Sequence, residues 1–326
     1  MTELPELVWV KGIAARCNWR FPDEFPDGKR YVLEPAHASA ILTEATPSTL
    51  IGNLADWRNV SEGDLVWVRV AWLPSFVRQI LPKLGSPFVL VTGDAINSVP
   101  SQIPTDIRSA IEGSNILHWF AQNCERGHPR ISPVPLGLDF HTINDRPFWG
   151  EPIARPAEQE RLLRSIASEL PAVECRIPFA YADFAWQQVD YGGRFQIVTS
   201  LRDNPLVFLQ ESFLARRSMW RRRGAFAFVI SPQGYGLDCH RTWEALALGH
   251  IVLTSSSPFD SVYEGLAVVP VTDWSTITAD RLAEWLLRYG SLTKQNPRLT
   301  SAWWIARMRA TSWLLRRAGG TAKPFE

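Results

Sequence analysis

Between residues 64 and 92 the chain reads strand, helix, strand, and that unit constrains the fold more than any other feature. Residues 64–71 alternate valine, tryptophan and arginine with the period of a strand, and 73–84 carry apolar side chains at helical spacing. Residues 87–92, Pro-Phe-Val-Leu-Val-Thr, form a short and nearly continuous apolar run. Such a run suits a strand covered on both faces, the environment of a parallel sheet. Two parallel strands joined by a helix make a right-handed crossover, the repeating element of open α/β sheets. Residues 115–120 and 131–135 read as further short strands. The first sixty residues are proline-rich; 7–10 suit a strand, 38–42 a helix and 22–29 a loop.

The same rhythm returns after a polar, proline-containing stretch at 147–160, which reads as a linker. Residues 195–199 suit a strand and 207–222 a helix with an arginine-rich end. A strand at 225–230 leads into a Gly-rich loop at 231–237. A helix over 238–248 follows, ended by Gly249 as a C-cap residue. Strands at 251–254 and 267–271 and a helix at 279–289 complete the pattern. With 326 residues, the chain is long for one core and comfortable for two. The expected architecture is α/β, with two Rossmann-like doubly wound domains facing a cleft. Their expected bounds are 1–150 and 151–295, with a C-terminal helix and tail at 296–326.

Composition removes several classes. A formal net charge of +1 argues against a polyanion binder, so no nucleic-acid partner is expected. The four cysteines form no CxxC pair, which leaves neither a disulfide framework nor a zinc site to predict. No signal peptide or span of about 20 apolar residues stands out, so the expected compartment is the cytoplasm. No Gly-x-Gly-x-x-Gly turn opens an early βαβ unit, which disfavours a dinucleotide-dependent dehydrogenase.

The most informative string is Phe228-Val-Ile-Ser-Pro-Gln-Gly-Tyr-Gly-Leu-Asp-Cys-His-Arg-Thr-Trp-Glu-Ala-Leu-Ala-Leu-Gly249. Ligands of open parallel sheets sit outside the carboxyl ends of the strands, where this loop is expected. Gly234 and Gly236 remove side chains where a ligand could approach the backbone. The helix that follows aims its amides and positive dipole end at an anion, with Asp238 as the expected N-cap. His240 and Arg241 stand in the first turn, a poor place for cations unless a phosphate is clamped there. Glu244, one turn on, could accept bonds from a pair of sugar hydroxyls.

This string resembles the donor-binding half of exostosin-like glycosyltransferases of the GT-B architecture, including bacterial relatives that build surface polysaccharides. The resemblance continues through 251–254, Ser255-Ser256-Ser257-Pro258, 263–266 and 271–277, and more loosely through His118-Trp-Phe-Ala-Gln-Asn123 and Pro133-Val-Pro-Leu-Gly137. It implies transfer of a hexosyl, hexosaminyl or pentosyl group from a nucleotide-diphosphate sugar to a glycan or glycoconjugate hydroxyl. In that resemblance Glu244 matches the residue that commonly holds the ribose. Gly236 stands where many GT-B enzymes carry a further glutamate. Arg241, then Arg202, is expected to neutralise the diphosphate, and the donor contacts are expected from Arg202, Ser231, Gly234, Tyr235, Gly236, Asp238, His240, Arg241, Glu244, Ser255 and Ser256. Cations and helix amides can lower the barrier without a metal. The chain has no Asp-x-Asp motif, and neither a metal nor another cofactor is expected.

An inverting enzyme needs a base, expected from the N-terminal half. Asp94 follows the apolar run and Gly93, at the carboxyl edge of a strand, where it could take a hydroxyl proton or simply serve a turn. His118 and Asp139 stand in reserve. In the C-terminal stretch Trp303, Trp304, Ile305, Met308, Leu314 and Leu315 form an amphipathic pattern opposite Arg309, Arg316 and Arg317. It suits either a helix crossing back onto the N-terminal domain or peripheral contact with an anionic inner membrane surface carrying a lipid-linked acceptor. Trp67, Trp72, Trp119 and Trp186 are either core or flat surfaces for sugar rings, and the arginines of 216–223 a solvated helix face. The competing reading is a non-catalytic scaffold of the same fold that binds nucleotide or glycan.

Overall fold

Apolar runs of five or six residues become strands buried along their length, and these strands pair only in parallel. A computed structural model describes residues 4–21, 56–125, 128–185 and 192–317; the helix expected at 38–42 and Trp186 lie outside them. The described chain divides into two compact units, Met1–Leu136 with Ser301–Glu326, and Gly137–Thr300. The boundary therefore falls at Gly137, ahead of the expected 150, and the second unit runs to Thr300. The expected linker holds the start of a helix, Pro156–Glu169. Pro156 occupies a first-turn position, where its missing N–H costs nothing, and Glu158 Oε2 accepts the backbone N–H of Arg155 at 2.8 Å.

In the first unit, β1 (Trp19–Phe21), β2 (Leu65–Arg69), β3 (Phe88–Gly93), β4 (Ile116–Ala121) and β5 (Ile131–Pro133) lie side by side in chain order. Val66, Val68 and Leu90 share one core cluster with Leu73 and Phe76 of the helix Leu73–Gln79 and Ile107 and Ile111 of the helix Thr105–Glu112. The C-terminal helix Ser301–Arg317 packs against β3 and β4 and against the helix Val10–Arg16. Trp304, Ile305 and Met308 are buried there. Ser301 donates to Glu6 O at 2.9 Å and Ser312 to Gly63 O at 3.0 Å, so both ends of this helix are tied to the first unit. Its tail differs from a wholly packed stripe: Trp313 and Leu314 are 47% and 60% exposed. Trp67 and Trp119 are core side chains with no exposed face, which removes them as sugar platforms.

In the second unit, β6 (Ile177–Ala182), β7 (Val207–Leu209), β8 (Phe226–Ile230), β9 (Ile251–Ser255) and β10 (Val268–Val271) are arranged β10-β9-β8-β6-β7. Three sequence expectations change here. Residues 195–199 belong to a helix, Arg194–Leu201, whose buried positions 194, 197, 198 and 201 are spaced by three and four. The helix expected over 207–222 is a strand, β7, then a shorter helix, Arg216–Arg223. Its arginines are not all solvated: Arg216, Trp220 and Arg223 form one buried stripe at the same helical spacing. Strand β6 was not foreseen. The helix His240–Ala247 ends as expected, with Gly249 at φ +73°, a conformation that suits glycine.

Candidate functional site

The order of the second sheet reverses once. From β6 the chain goes to β7 on one side and then to β8 on the other, so the loops leaving β6 and β8 part at the carboxyl ends of adjacent strands. Such a switch point is where open α/β sheets form a ligand crevice. Asp183 and Phe184 leave β6 there, and residues 231–237 leave β8.

Two guanidinium groups converge on these loops. Arg194 opens the helix Arg194–Leu201, donating from Nε to Gln233 O (2.8 Å) and from Nη1 to Ala185 O (3.1 Å). Arg241, in the first turn of the helix His240–Ala247, donates from Nε to Asp183 Oδ1 at 2.9 Å and reaches Cys239 Sγ at 3.7 Å. Both stand over the ring of Phe184, at 5.7 and 5.8 Å. Burial, and then the charge of Arg241, press the pKa of Arg194 below its ordinary value. Arg194 has no carboxylate partner among the described residues. Gly234 makes room for it: a Cβ at that position would stand 3.2 Å from Arg194 Nη2.

Asp183 belongs to a buried chain of charge. It accepts from Arg223 Nη2 at 2.6 Å as well as from Arg241, and Arg223 Nη1 lies 3.7 Å from Glu244 Oε2. Glu244 in turn accepts from Arg216 Nη2 at 2.6 Å and Trp220 Nε1 at 3.2 Å. Burial alone would raise the pKa of Asp183, but the guanidinium charges of Arg223 and Arg241 and their hydrogen bonds hold it below the usual carboxylate range. Because Asp183 is shared with Arg223, the Arg194–Arg241 end of the network carries uncompensated positive charge beside the first amides of the helix His240–Ala247. Positive charge beside helix amides is an arrangement that suits an anion.

Several sequence-predicted residues take other roles. Glu244 is 6% exposed with both oxygens engaged by Arg216, Arg223 and Trp220, so it fixes the network and does not offer its carboxylate to a ribose. The N-cap position belongs to Cys239. Asp238 is buried instead, accepting from Cys239 N, from Trp243 Nε1 at 2.9 Å and from the Tyr263 hydroxyl at 3.0 Å, which ties the loop to the helix. Ser231 Oγ is similarly bound to Thr242 Oγ1 at 2.9 Å. Arg202 is the exposed C-cap of the helix Arg194–Leu201. It stands about 12 Å along the axis from Arg194, because each residue rises about 1.5 Å. Tyr235 is 64% exposed on the loop. The Ser255 hydroxyl at the end of β9 has no hydrogen-bond partner among the described residues, whereas Ser256 donates to Asp260 at 2.9 Å.

His240 lies beside Arg241 with Nδ1 2.7 Å from Gly137 O. A carbonyl oxygen only accepts, so Nδ1 carries the proton and Nε2 is the other face of the ring. Asp139 and His141 lie against it: His141 Nδ1 is 3.1 Å from Asp139 Oδ1, and the two imidazole centres are 5.5 Å apart. Burial would raise the pKa of Asp139, but His141, His240, Arg216 and the amide of Thr142 hold it well below the usual range. No metal is expected from the sequence, in which this gathering of Asp139, His141 and His240 is not visible.

In the first unit, Asp94 sits at the carboxyl end of β3 as expected, at φ +57°, and pairs with Arg69 Nε at 3.1 Å. His118, the reserve base, points into the core of that unit with Nε2 2.9 Å from Ser132 Oγ. Burial, then Arg130, lower its pKa to about 4, which makes it a neutral packed side chain. Asp183 and Arg194 were missed. Only the Gly192-Gly193 pair ahead of an apolar stretch hints at the turn that delivers Arg194.

No family model and no curated protein matches the chain. Among solved structures, similarity extends to the UDP-forming α,α-trehalose-phosphate synthase of Burkholderia vietnamiensis, at 11% identity over 86% of this chain and 78% of that one, with a TM-score of 0.33. The enzyme of the same name from Burkholderia xenovorans, in complex with glucose-6-phosphate, matches at 10% over 86% and 79%, TM-score 0.36. The trehalose-6-phosphate structure from E. coli bound with UDP-2-fluoro glucose matches at 10% over 87% and 80%, TM-score 0.36. Likeness at this level carries no argument about activity, which rests on the side chains of this chain.

Proposed function

We propose that the chain is a glycosyltransferase of the GT-B kind, moving a sugar from a nucleoside-diphosphate donor to a glycan or glycoconjugate hydroxyl. The observation that carries this reading is the convergence of Arg194 and Arg241 on the Gly-rich loop at the switch point of the second sheet. A departing nucleoside diphosphate develops negative charge, and fixed guanidinium groups beside helix amides stabilise that charge without reorganising. The glycine at 234 leaves the backbone accessible to phosphate oxygens, and Tyr235 and the Ser255 hydroxyl are the proposed contacts for base or sugar. Phosphate neutralisation by arginine removes the need for a metal between the phosphates.

Asp94 is the proposed base of an inverting transfer, taking the acceptor proton while Arg69 holds its carboxylate. Trp313 and Leu314, exposed beside Arg316 and Arg317, extend the proposal to peripheral contact with an anionic membrane surface. No described helix is long and apolar enough to cross a membrane.

The test is a thermal-shift screen of the purified chain against nucleoside diphosphates and their sugars. A ligand that binds only the native state raises the melting temperature by mass action. One nucleoside diphosphate should raise it in wild type and not in Arg194→Ala, and the matching nucleotide sugar should release nucleoside diphosphate when an acceptor is added. The absence of a shift with every nucleoside diphosphate and sugar would overturn the proposal.

A further inference from the structure

Asp139 and His141, two positions apart, are joined by His240 from a distant part of the chain, and the three bring one ligand atom each to within 4.8 Å of one another. We propose that they form a binding site for a divalent transition-metal ion of the zinc class, distinct from the diphosphate site.

Three features favour a cation over an ordinary hydrogen bond between a carboxylate and an imidazole. The ligand set is two imidazoles and one carboxylate, a combination that suits zinc and its neighbours with a further position open to water. The spacing fits: His141 Nδ1 and Asp139 Oδ1 are 3.1 Å apart, and ligands about 2.1 Å from a tetrahedral zinc lie about 3.4 Å from each other. The supporting contacts also fit. His240 is held through Nδ1 by Gly137 O at 2.7 Å, which leaves Nε2 as the nitrogen with a lone pair to give a metal. Asp139 is fixed by the amide of Thr142 at 2.9 Å and its hydroxyl at 2.8 Å. Ligating histidines and carboxylates are oriented by such outer contacts. Asp139 is 4% exposed, and Arg216 Nη2 binds its backbone oxygen at 2.7 Å, so the carboxylate is delivered on a rigid backbone.

The ion would link the segment that begins the second unit to the first residue of the helix His240–Ala247, and so fix the pitch at which the next residue, Arg241, is presented. Metal binding is independent of glycosyl transfer: the chain can bind zinc and transfer no sugar, or the reverse.

The experiment strips the full chain of metal on a chelating resin, titrates it with Zn²⁺ against a chromophoric competitor, and repeats the loading with Co²⁺ to read d–d absorption. Cys175 is replaced by serine throughout, because it is an exposed thiol. One equivalent should bind per chain, with the absorption of a four- or five-coordinate nitrogen and oxygen site. His141→Gln, Asp139→Asn and His240→Gln should each weaken binding at least tenfold. His141 is the informative position, because its side chain is 27% exposed and its replacement should leave the circular dichroism spectrum of the fold unchanged. No saturable binding, or unchanged affinity in folded His141→Gln, would overturn the site and leave a hydrogen-bonded Asp–His pair. Thiolate-type Co²⁺ absorption would overturn it too, by assigning the ion to Cys239.

Discussion

The two sheets are built to the same plan, five parallel strands each, yet they differ in one respect that decides where chemistry can gather. In the first, strand order follows chain order across β1 to β5, with no reversal among the described residues; in the second, order reverses between β6 and β8. Crossovers that continue in one direction keep their loops side by side, whereas a reversal parts two adjacent loops and opens a crevice. The charge distribution follows. The first unit carries the edge pair Arg69–Asp94, with each side chain 13% exposed, and the more exposed helix pair Arg108–Glu112. The second carries the buried chain Arg241–Asp183–Arg223–Glu244–Arg216. Topology selects the place, and the buried ions then fix the side chains that use it.

The sharpest way to break this comparison is to remove one member of each set. Removing one partner of a buried pair leaves an uncompensated charge and costs about 3–5 kcal/mol. Arg223→Met should therefore destabilise the second unit by that order in urea unfolding, while Arg69→Met should have a far smaller effect on the first. Comparable losses would mean that the two charge systems do the same work. Next in size is Asp94→Asn, expected to lower turnover about 100-fold or more, the typical contribution of a general base. Donor affinity in isothermal titration should not change. Full activity in this variant would return Asp94 to the role of a turn residue.

Arg194→Ala should weaken nucleoside-diphosphate binding by about 10- to 100-fold, since a hydrogen bond to a charged group contributes about 1.5–3 kcal/mol. Arg202→Ala, eight positions along the same helix, should leave affinity unchanged. Equal losses would remove the anion site from the switch point.

The smallest effect expected is in pH. His118 in the first unit and His250 in the second are both buried and both have lowered pKa values, with His118 at about 4. A histidine whose folded pKa is depressed binds fewer protons folded than unfolded. Its stabilising share is full above the unfolded value of about 6.5 and falls as pH drops toward the folded one. His118→Gln can keep the bond to Ser132 and should flatten the stability profile between pH 6.5 and 5.5 by on the order of 1 kcal/mol. An unaltered profile would assign the acid sensitivity to His250.

Much of this architecture is legible in residue order. Residues 87–92 and 225–230 announce buried parallel strands, and the loop with Gly234 and Gly236 marks the carboxyl end of the second sheet. What escapes notice is geometry made by residues distant in the chain. The short apolar stretch at 195–199 fits a strand or a helix, and only packing distinguishes them. Reading it as a strand puts Arg202 at a strand's carboxyl end, whereas in the helix it is the C-cap, at the opposite end from Arg194. Arginines at 216 and 223 look solvated because charge is usually exposed, and nothing near them in sequence reveals that Asp183 and Glu244 wait inside. The Asp139–His141–His240 group is invisible for the same reason: its third member comes from about a hundred residues away.

The C-terminal helix, tied to Glu6 and Gly63, has a consequence for biosynthesis. Gly137–Thr300 is one uninterrupted stretch, so that unit needs no segment from elsewhere in the chain to complete its contacts. The first unit emerges earlier but lacks its cover over β3 and β4 until Ser301–Arg317 has left the exit tunnel. Domains generally mature in the order in which they are made. In this chain the order is inverted: the part synthesised first is the last that can finish folding, and it exposes apolar sheet to the nascent-chain environment in the meantime.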